Sequence, residues 1–168
     1  MSDVFDPIAV MQALDRQRLT YIVIGGLGRV IHGSDELIDG IDIVPSTRVE
    51  NLRRVGLALD ELNARRPDRK ALALEQDLAS EAVLVLATDA GELKIIPEPA
   101  GTRGYDDLRR AATREPLGHG LRPSVASVGD HARMLAALNR EQDHVPLRTL
   151  RRLIELEHEL SRGLSIER

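Results

Sequence analysis

Residues 21–46 read YIVIGGLGRVIHGSDELIDGIDIVPS, and this stretch decides the fold. Tyr21 to Ile24 is a short β-rich run that breaks at Gly25 and Gly26, and the following LGRVIHG is compatible with a short helix. Ile41 to Val44 makes a second strand, stopped by Pro45. The order is strand, glycine turn, short helix, strand. Adjacent glycines let a backbone approach a ligand closely, and a helix after them offers free N–H groups and the positive end of its dipole. By itself the pair would serve equally well as a tight turn without a ligand.

Working outward, Asp6 and Pro7 form a cap and first-turn pair ahead of Ile8, Met11 and Leu14, which predicts a helix over 7–17. Thr47 and Glu50 have capping-box spacing before Leu52, Val55, Leu59 and Leu62, predicting a long helix over 47–64. RRPDRK at 65–70 reads as a polar loop and 72–80 as a helix. VLVLATDAGELKII at 83–96 reads as a hairpin turning at Asp89, Ala90 and Gly91. Residues 104–113 look helical, Ser127 and Asp130 repeat the capping spacing before a helix ending near Leu138, and 147–161 is amphipathic. The pattern predicts an α/β (α+β) chain. Its mixed sheet has four to five strands, with the 20–24, 40–45, 82–87 and 92–97 segments adjacent, helices mainly on one face, and a C-terminal helical pair. One domain over 1–168 is expected, with the sheet core in 1–100 and the C-terminal helices in 101–168.

Composition narrows the chemistry. Hydrophobic residues make up 42% of the 168 and charged residues 30%, values of an ordinary globular protein. No run approaches the roughly 18 apolar residues that a membrane helix needs. The N-terminus MSDVFDPIAV lacks the basic and apolar regions of a secretory signal, so a cytoplasmic protein without a membrane partner is expected. Absence of cysteine removes disulfides, thiolate nucleophiles and cysteine-bound metals. The net charge of −4 argues against a globally basic nucleic-acid binder while leaving a local arginine patch open. Phe5, Tyr21 and Tyr105 are the sole aromatics, so the core is expected to be aliphatic and a base-stacking platform is not. The arginine pairs at 53–54, 65–66, 109–110 and 151–152 read as solvated helix faces, and His119, His131, His144 and His158 as surface residues.

The glycine turn and second strand resemble the opening of the polymerase-β-like nucleotidyltransferases, in particular the AbiEii-type and MNT-like proteins of bacterial toxin–antitoxin and defence systems. Gly25, Gly26, His32, Gly33 and Asp42 fall where that family's pattern places them. GELKIIPEPAGTRGYDDLRRAA resembles the family's third-carboxylate strand and following helix, and SVASVGDHARMLAALNREQDHVPLRTL its C-terminal helices. The resemblance implies a triphosphate cradle at Gly25 and Gly26, with Arg29 supplying positive charge, and two magnesium ions caged by three carboxylates.

Several of those implied positions carry other residues. The paired carboxylates fall on Gly40 and Asp42, the third on Lys94, the threonine or serine ahead of them on Ile38, and the lysine of the penultimate helix on Leu135. Asp42 and Asp143 are the remnants, although Asp42 could be a solvated strand residue and Asp143 a cap of the last helix. The resemblance therefore implies a pseudoenzyme with no metal or cofactor. It would act as a binding, regulatory or antitoxin-like partner, with a nucleotide or other phosphate ligand and a cognate protein as candidate partners. The alternative is an active magnesium-dependent nucleotidyltransferase acting on RNA, a protein or a small molecule, its metal site rebuilt from Asp39, Asp42 and Glu92 or Glu98. Lys94 is expected to face Asp42 across adjacent strands and to pair with it.

Overall fold

The computed structural model describes residues 5–166; residues 1–4, on which part of the no-signal reading rests, and 167–168 lie outside it. Helix α1 (Pro7–Arg16) leads to β1 (Tyr21–Ile24), α2 (Gly25–Ile31) and β2 (Gly40–Pro45). Then come α3 (Val49–Glu61), α4 (Leu74–Ser80), β3 (Leu84–Thr88) and β4 (Gly91–Ile95). The chain closes with α5 (Tyr105–Leu108), β5 (Thr113–Arg114), β6 (Ser124–Val125), α6 (Val128–Leu138) and, after a 3₁₀ turn at Glu141–Asp143, α7 (His144–Ile166). The strands form one mixed sheet in the order β3-β4-β2-β1-β6-β5. The four expected segments are adjacent, and two two-residue strands extend the sheet beyond β1. Among the described residues no helix is long and apolar enough to cross a membrane.

Period-two alternation sorts the strands onto two faces. Ile41, Ile43, Leu93 and Ile95 point to one face, where they are fully buried against Val10, Met11 and Leu14 of α1 and Val55, Ala58 and Leu59 of α3. The spacing of those α3 residues gives the apolar stripe of a helix lying on a sheet. On the opposite face Ile22, Ile24 and Val44 form a smaller cluster with Leu108 of α5 and Met134 of α6. The core is aliphatic, as the composition requires.

Several local expectations change. Asp6 and Ser127 cap α1 and α6 as expected, accepting from the N–H groups of Ala9 and Asp130, both at 3.0 Å. Arg48, not Thr47, is the N-cap of α3, with no side-chain cap bond, so the Thr47 and Glu50 spacing does not close a box. The expected 104–113 helix stops at Leu108, because Thr113 and Arg114 turn out to pair with Ser124 and Val125 in a hairpin that spacing did not reveal. The last helix runs well past 147–161 at both ends. Arg66 is no solvated helix residue: its guanidinium, 10% exposed, reaches Asp68 at 2.8 Å, Asp77 at 3.2 Å and Glu81 at 2.6 Å and ties down the 65–81 connection.

One buried side chain joins three elements. Asn51 on α3 accepts from the Thr20 N–H at 2.8 Å and donates to the carbonyls of Thr20 at 2.9 Å and Ser46 at 2.7 Å. It satisfies the backbone where β1 begins and β2 ends, thereby holding the register that places the glycine turn. Asn51→Ala takes this partner from the Thr20 N–H and the Ser46 carbonyl in a buried site, while the Thr20 carbonyl keeps its bond from the Ser46 N–H, and is expected to destabilise the fold by about 2–3 kcal/mol. Urea unfolding of the two proteins measures this, and a difference below roughly 0.5 kcal/mol would be the size of an ordinary surface substitution.

Candidate functional site

The glycine turn opens into a cleft of 470 Å³ on the α6 side of the sheet. Its floor carries Asp42 from β2 and Lys94 from β4, with Ile24, Gly25, Gly26 and Arg29 at one side, and Met134, Leu135 and Leu138 of α6 form an apolar wall. The structure thus brings together Gly25, Gly26, Arg29, Asp42, Lys94 and Leu135. Gly40 and Asp143 lie outside the lining.

The Gly25 turn has φ +70°, and a Cβ there would sit 2.3 Å from Oδ2 of Asp42. Asp42 therefore presses its carboxylate onto the first residue of α2, where only glycine leaves room. Burial pushes the Asp42 carboxyl above the usual range; Lys94 and Arg29 oppose this, and Glu92 and Asp39 add to it. The close approach makes the turn a packing requirement in its own right. Gly26 remains open: a Cβ there meets nothing nearer than Ile38 Cγ2 at 3.7 Å and Arg29 Nη2 at 3.9 Å.

Lys94 and Asp42 are register partners across the parallel β2–β4 pair. The expected ion pair between them is not formed. The Lys94 ammonium lies 3.5 Å from Oε1 of Glu92, two residues along its own strand, and acts on Asp42 through space as a neighbouring charge. The i, i+2 spacing puts Lys94 and Glu92 on one face, and Asp42 lies deeper, against the glycine turn.

Arg29 is also committed. It donates to Glu36 through Nε at 2.9 Å and Nη2 at 2.8 Å, while Ser34 donates to the same carboxylate at 2.7 Å. Burial opposes ionisation of Glu36, but the hydrogen bonds from Arg29 and Ser34 outweigh it and hold the carboxyl below its ordinary range. At the other end of the cleft Arg140 donates to Asp143 at 2.6 Å. Asp143 is buried in the 3₁₀ turn before α7, so it anchors Arg140 instead of facing the cleft.

His131 is not a surface residue. It is 1% exposed on α6, lines the cleft, and meets His32 edge to face with ring centroids 5.7 Å apart. Its Nδ1 lies 3.0 Å from the Ser127 carbonyl, which assigns the proton to Nδ1, and its Nε2 packs against Gly28, where a Cβ would lie 2.5 Å away. Its place on the buried face of α6 with Val128, Met134 and Leu135 is the sequence signal that could have found it. His32 turns its Nε2 to the Ala126 carbonyl at 2.7 Å and reads as a packing residue.

A magnesium pair does not fit these residues. Asp42 and Glu98 are the carboxylates of the lining, Asp42 stands beside an ammonium, Glu92 is turned to that ammonium, and Gly40 offers no donor. Among the described residues no group of three histidines or carboxylates converges as a ligand set.

No family model matches the sequence, and no curated protein matches it. Solved structures do resemble it. The lincomycin-bound lincosamide antibiotic adenylyltransferase LnuA superposes with TM-score 0.63 at 14% identity, over 90% of this chain and 99% of that one. The antibiotic-resistance factor ANT(2'')-Ia gives TM-score 0.56 at 14% identity, over 94% of this chain and 91% of that one. The chain has the nucleotidyltransferase fold.

Burial pushes the His131 imidazole down to about 4, helped by the charges of His32 and Arg29 and resisted by the bond to Ser127. The unfolded chain takes up this proton near pH ~6.5 and the folded chain does not, so the stability it contributes is complete above that pH and lost as pH falls toward about 4. Between pH ~7 and pH ~4.5 the protein is expected to lose about 2–3 kcal/mol more than a His131→Leu variant. Denaturant unfolding at the two pH values checks this, and parallel pH profiles would refute it.

Proposed function

We propose that this nucleotidyltransferase-fold protein is a catalytically degenerate relative of the AbiEii-type and MNT-like group. In this reading it works as a binding or regulatory, antitoxin-like partner and transfers no nucleotide. The observation that carries the reading is Lys94 in register with Asp42 on the cleft floor, its ammonium standing where a third metal-binding carboxylate would be needed. A divalent cation there would meet positive charge at short range and a carboxylate already crowded by Gly25. The cleft suits a ligand with a phosphate end and a less polar body. Gly26, Arg29 and Lys94 supply the positive side, and Met134, Leu135 and Leu138 the apolar wall. A nucleotide has that character, and a cognate protein is the proposed reader of its occupancy.

A second reading, an active magnesium-dependent nucleotidyltransferase, draws support from the likeness to LnuA, an adenylyltransferase. It would need Glu98, which lines the same cleft, to join Asp42, with Glu92 released from Lys94 or Asp39 brought inward.

Titration calorimetry with magnesium and ATP separates the two. The native chain is expected to bind no magnesium and to show no magnesium-dependent nucleotide transfer. Lys94→Asp replaces a repelling charge with an attracting one and should raise magnesium affinity roughly tenfold or more. Adding Gly40→Asp carries a packing cost, because a Cβ there falls 3.0 Å from the Glu92 carbonyl, so the double variant should be less stable than the single one. Tight magnesium binding by the native chain would overturn the degenerate reading.

A further inference from the structure

A second pocket lies at the opposite end of β1 from the glycine turn. It encloses 370 Å³ where α1, the start of β1 and the β5–β6 hairpin meet, and its lining is mainly polar. Arg114 and Arg122 reach it from the hairpin, Asp15 from the end of α1, and Tyr21 from the first position of β1. Asp143, Glu36 and Glu92 commit the arginines and lysine of the main cleft, but here the pairing is incomplete. Arg114 donates to the Arg122 carbonyl at 3.2 Å, and among the described residues neither guanidinium forms an ion pair with a carboxylate.

The Tyr21 hydroxyl is the second observation. Tyr21 is 7% exposed, and its Oη is buried without a hydrogen-bond partner. Burial and the Asp15 charge raise its pKa while Arg114 lowers it, so the hydroxyl sits within the field of two groups that line the pocket. A buried donor without a partner is costly to keep, and native structures keep one where a ligand, ion or water completes it. Two guanidinium groups without a carboxylate ion pair, beside an orphaned O–H donor, suit an oxyanion.

Asp15 refines the choice. Burial raises its carboxyl above the ordinary range although Arg114 pulls it down, and as an acceptor on the same wall it opposes an oxyanion that carries no proton. It favours one that brings its own O–H, which it can accept. We propose that this pocket binds a protonated oxyanion, the phosphate group of inorganic phosphate or of a phosphomonoester. Tyr21, Arg114 and Arg122 donate to it, and Asp15 selects for the phosphate proton. The site is separate from the glycine-turn cleft and does not depend on the function proposed for it.

Calorimetry on the full chain at low ionic strength and neutral pH, with inorganic phosphate, sulfate and glycerol phosphate as probes, tests this. Phosphate should bind at least about tenfold more tightly than sulfate, which has no proton for Asp15, and Asp15→Asn should close that gap. Arg122→Gln and Tyr21→Phe should each weaken phosphate about tenfold, whereas Arg53→Gln, an exposed control on α3, should not. Tyr21→Phe should also raise the unfolding temperature in phosphate-free buffer while shrinking the gain that phosphate gives, a combination that a purely structural hydroxyl would not produce. Glycerol phosphate binding more tightly than inorganic phosphate assigns the site to phosphomonoesters, and weaker binding assigns it to the free ion. The proposal is overturned if phosphate does not bind, if sulfate binds as well, or if Lys94→Ala in the other cleft abolishes binding while Arg122→Gln leaves it intact.

Discussion

The contact between the backbone of Gly25 and the carboxylate of Asp42 constrains the rest of the site. Antiparallel pairing sets Ile24 opposite Asp42, and the positive φ of Gly25 turns the chain straight from β1 into α2 above that carboxylate. No side chain fits between them. One helical turn later Gly28 makes a second close approach, to the His131 ring, so α2 rests on β2 through one glycine and on α6 through another. The lateral position of α6, and with it the apolar wall of the cleft, follows from these two contacts. A glycine run that looks like a ligand motif is here also a packing device, and the fold would keep it whether or not the cleft carried chemistry.

Electrostatics within the cleft is local and largely self-contained. Arg29 belongs to Glu36, Arg140 to Asp143 and Lys94 to Glu92, each pair made by neighbours in sequence. Asp42 is left with a carboxyl raised by burial and moderated by two cations that do not touch it. A ligand entering from solvent must compete with these pairs or settle for the field between them. Lys94 is the more available cation, since its contact with Glu92 is long at 3.5 Å and both side chains are substantially exposed. Arg29, 12% exposed and bound through two nitrogens, works as a fixed strut.

Much of this architecture was legible because it rests on local signals. Strong β runs, the caps at Asp6 and Ser127 and the Gly91 turn placed four strands and most helices within a few residues. Capping failed at Thr47, where the chain enters α3 in extended geometry at Arg48. The β5–β6 hairpin was missed because each strand is two residues long and the connection is rich in glycine and proline, so no periodicity could accumulate. The register of Asp42 against Lys94 followed from strand order, but the choice of Lys94 for Glu92 over Asp42 is set by depth, which a sequence does not carry. His131 was misread because spacing to other ligands was sought and its own helix face was not; Val128, Met134 and Leu135 mark that face as buried.

The two ends of β1 show how differently a fold can dispose of polar groups. At the C-terminal end the glycine turn receives a carboxylate from the neighbouring strand, and His131 finds the Ser127 carbonyl for one nitrogen and leaves the other buried against Gly28 without a partner. At the N-terminal end Asn51 joins the Thr20 N–H and the carbonyls of Thr20 and Ser46 with a single side chain, and the Ser46 N–H bonds the Thr20 carbonyl directly. One residue further along, Tyr21 buries an aromatic ring in the main core and leaves its hydroxyl without a partner beside two arginines that form no ion pair with a carboxylate. A chain that satisfies Thr20 so fully and Tyr21 so poorly does not suffer from a general shortage of donors and acceptors at that edge. At that edge the unpaired hydroxyl belongs to a residue that lines the pocket, beside two guanidinium groups without a carboxylate ion pair, and the arrangement has the sign of a missing anion.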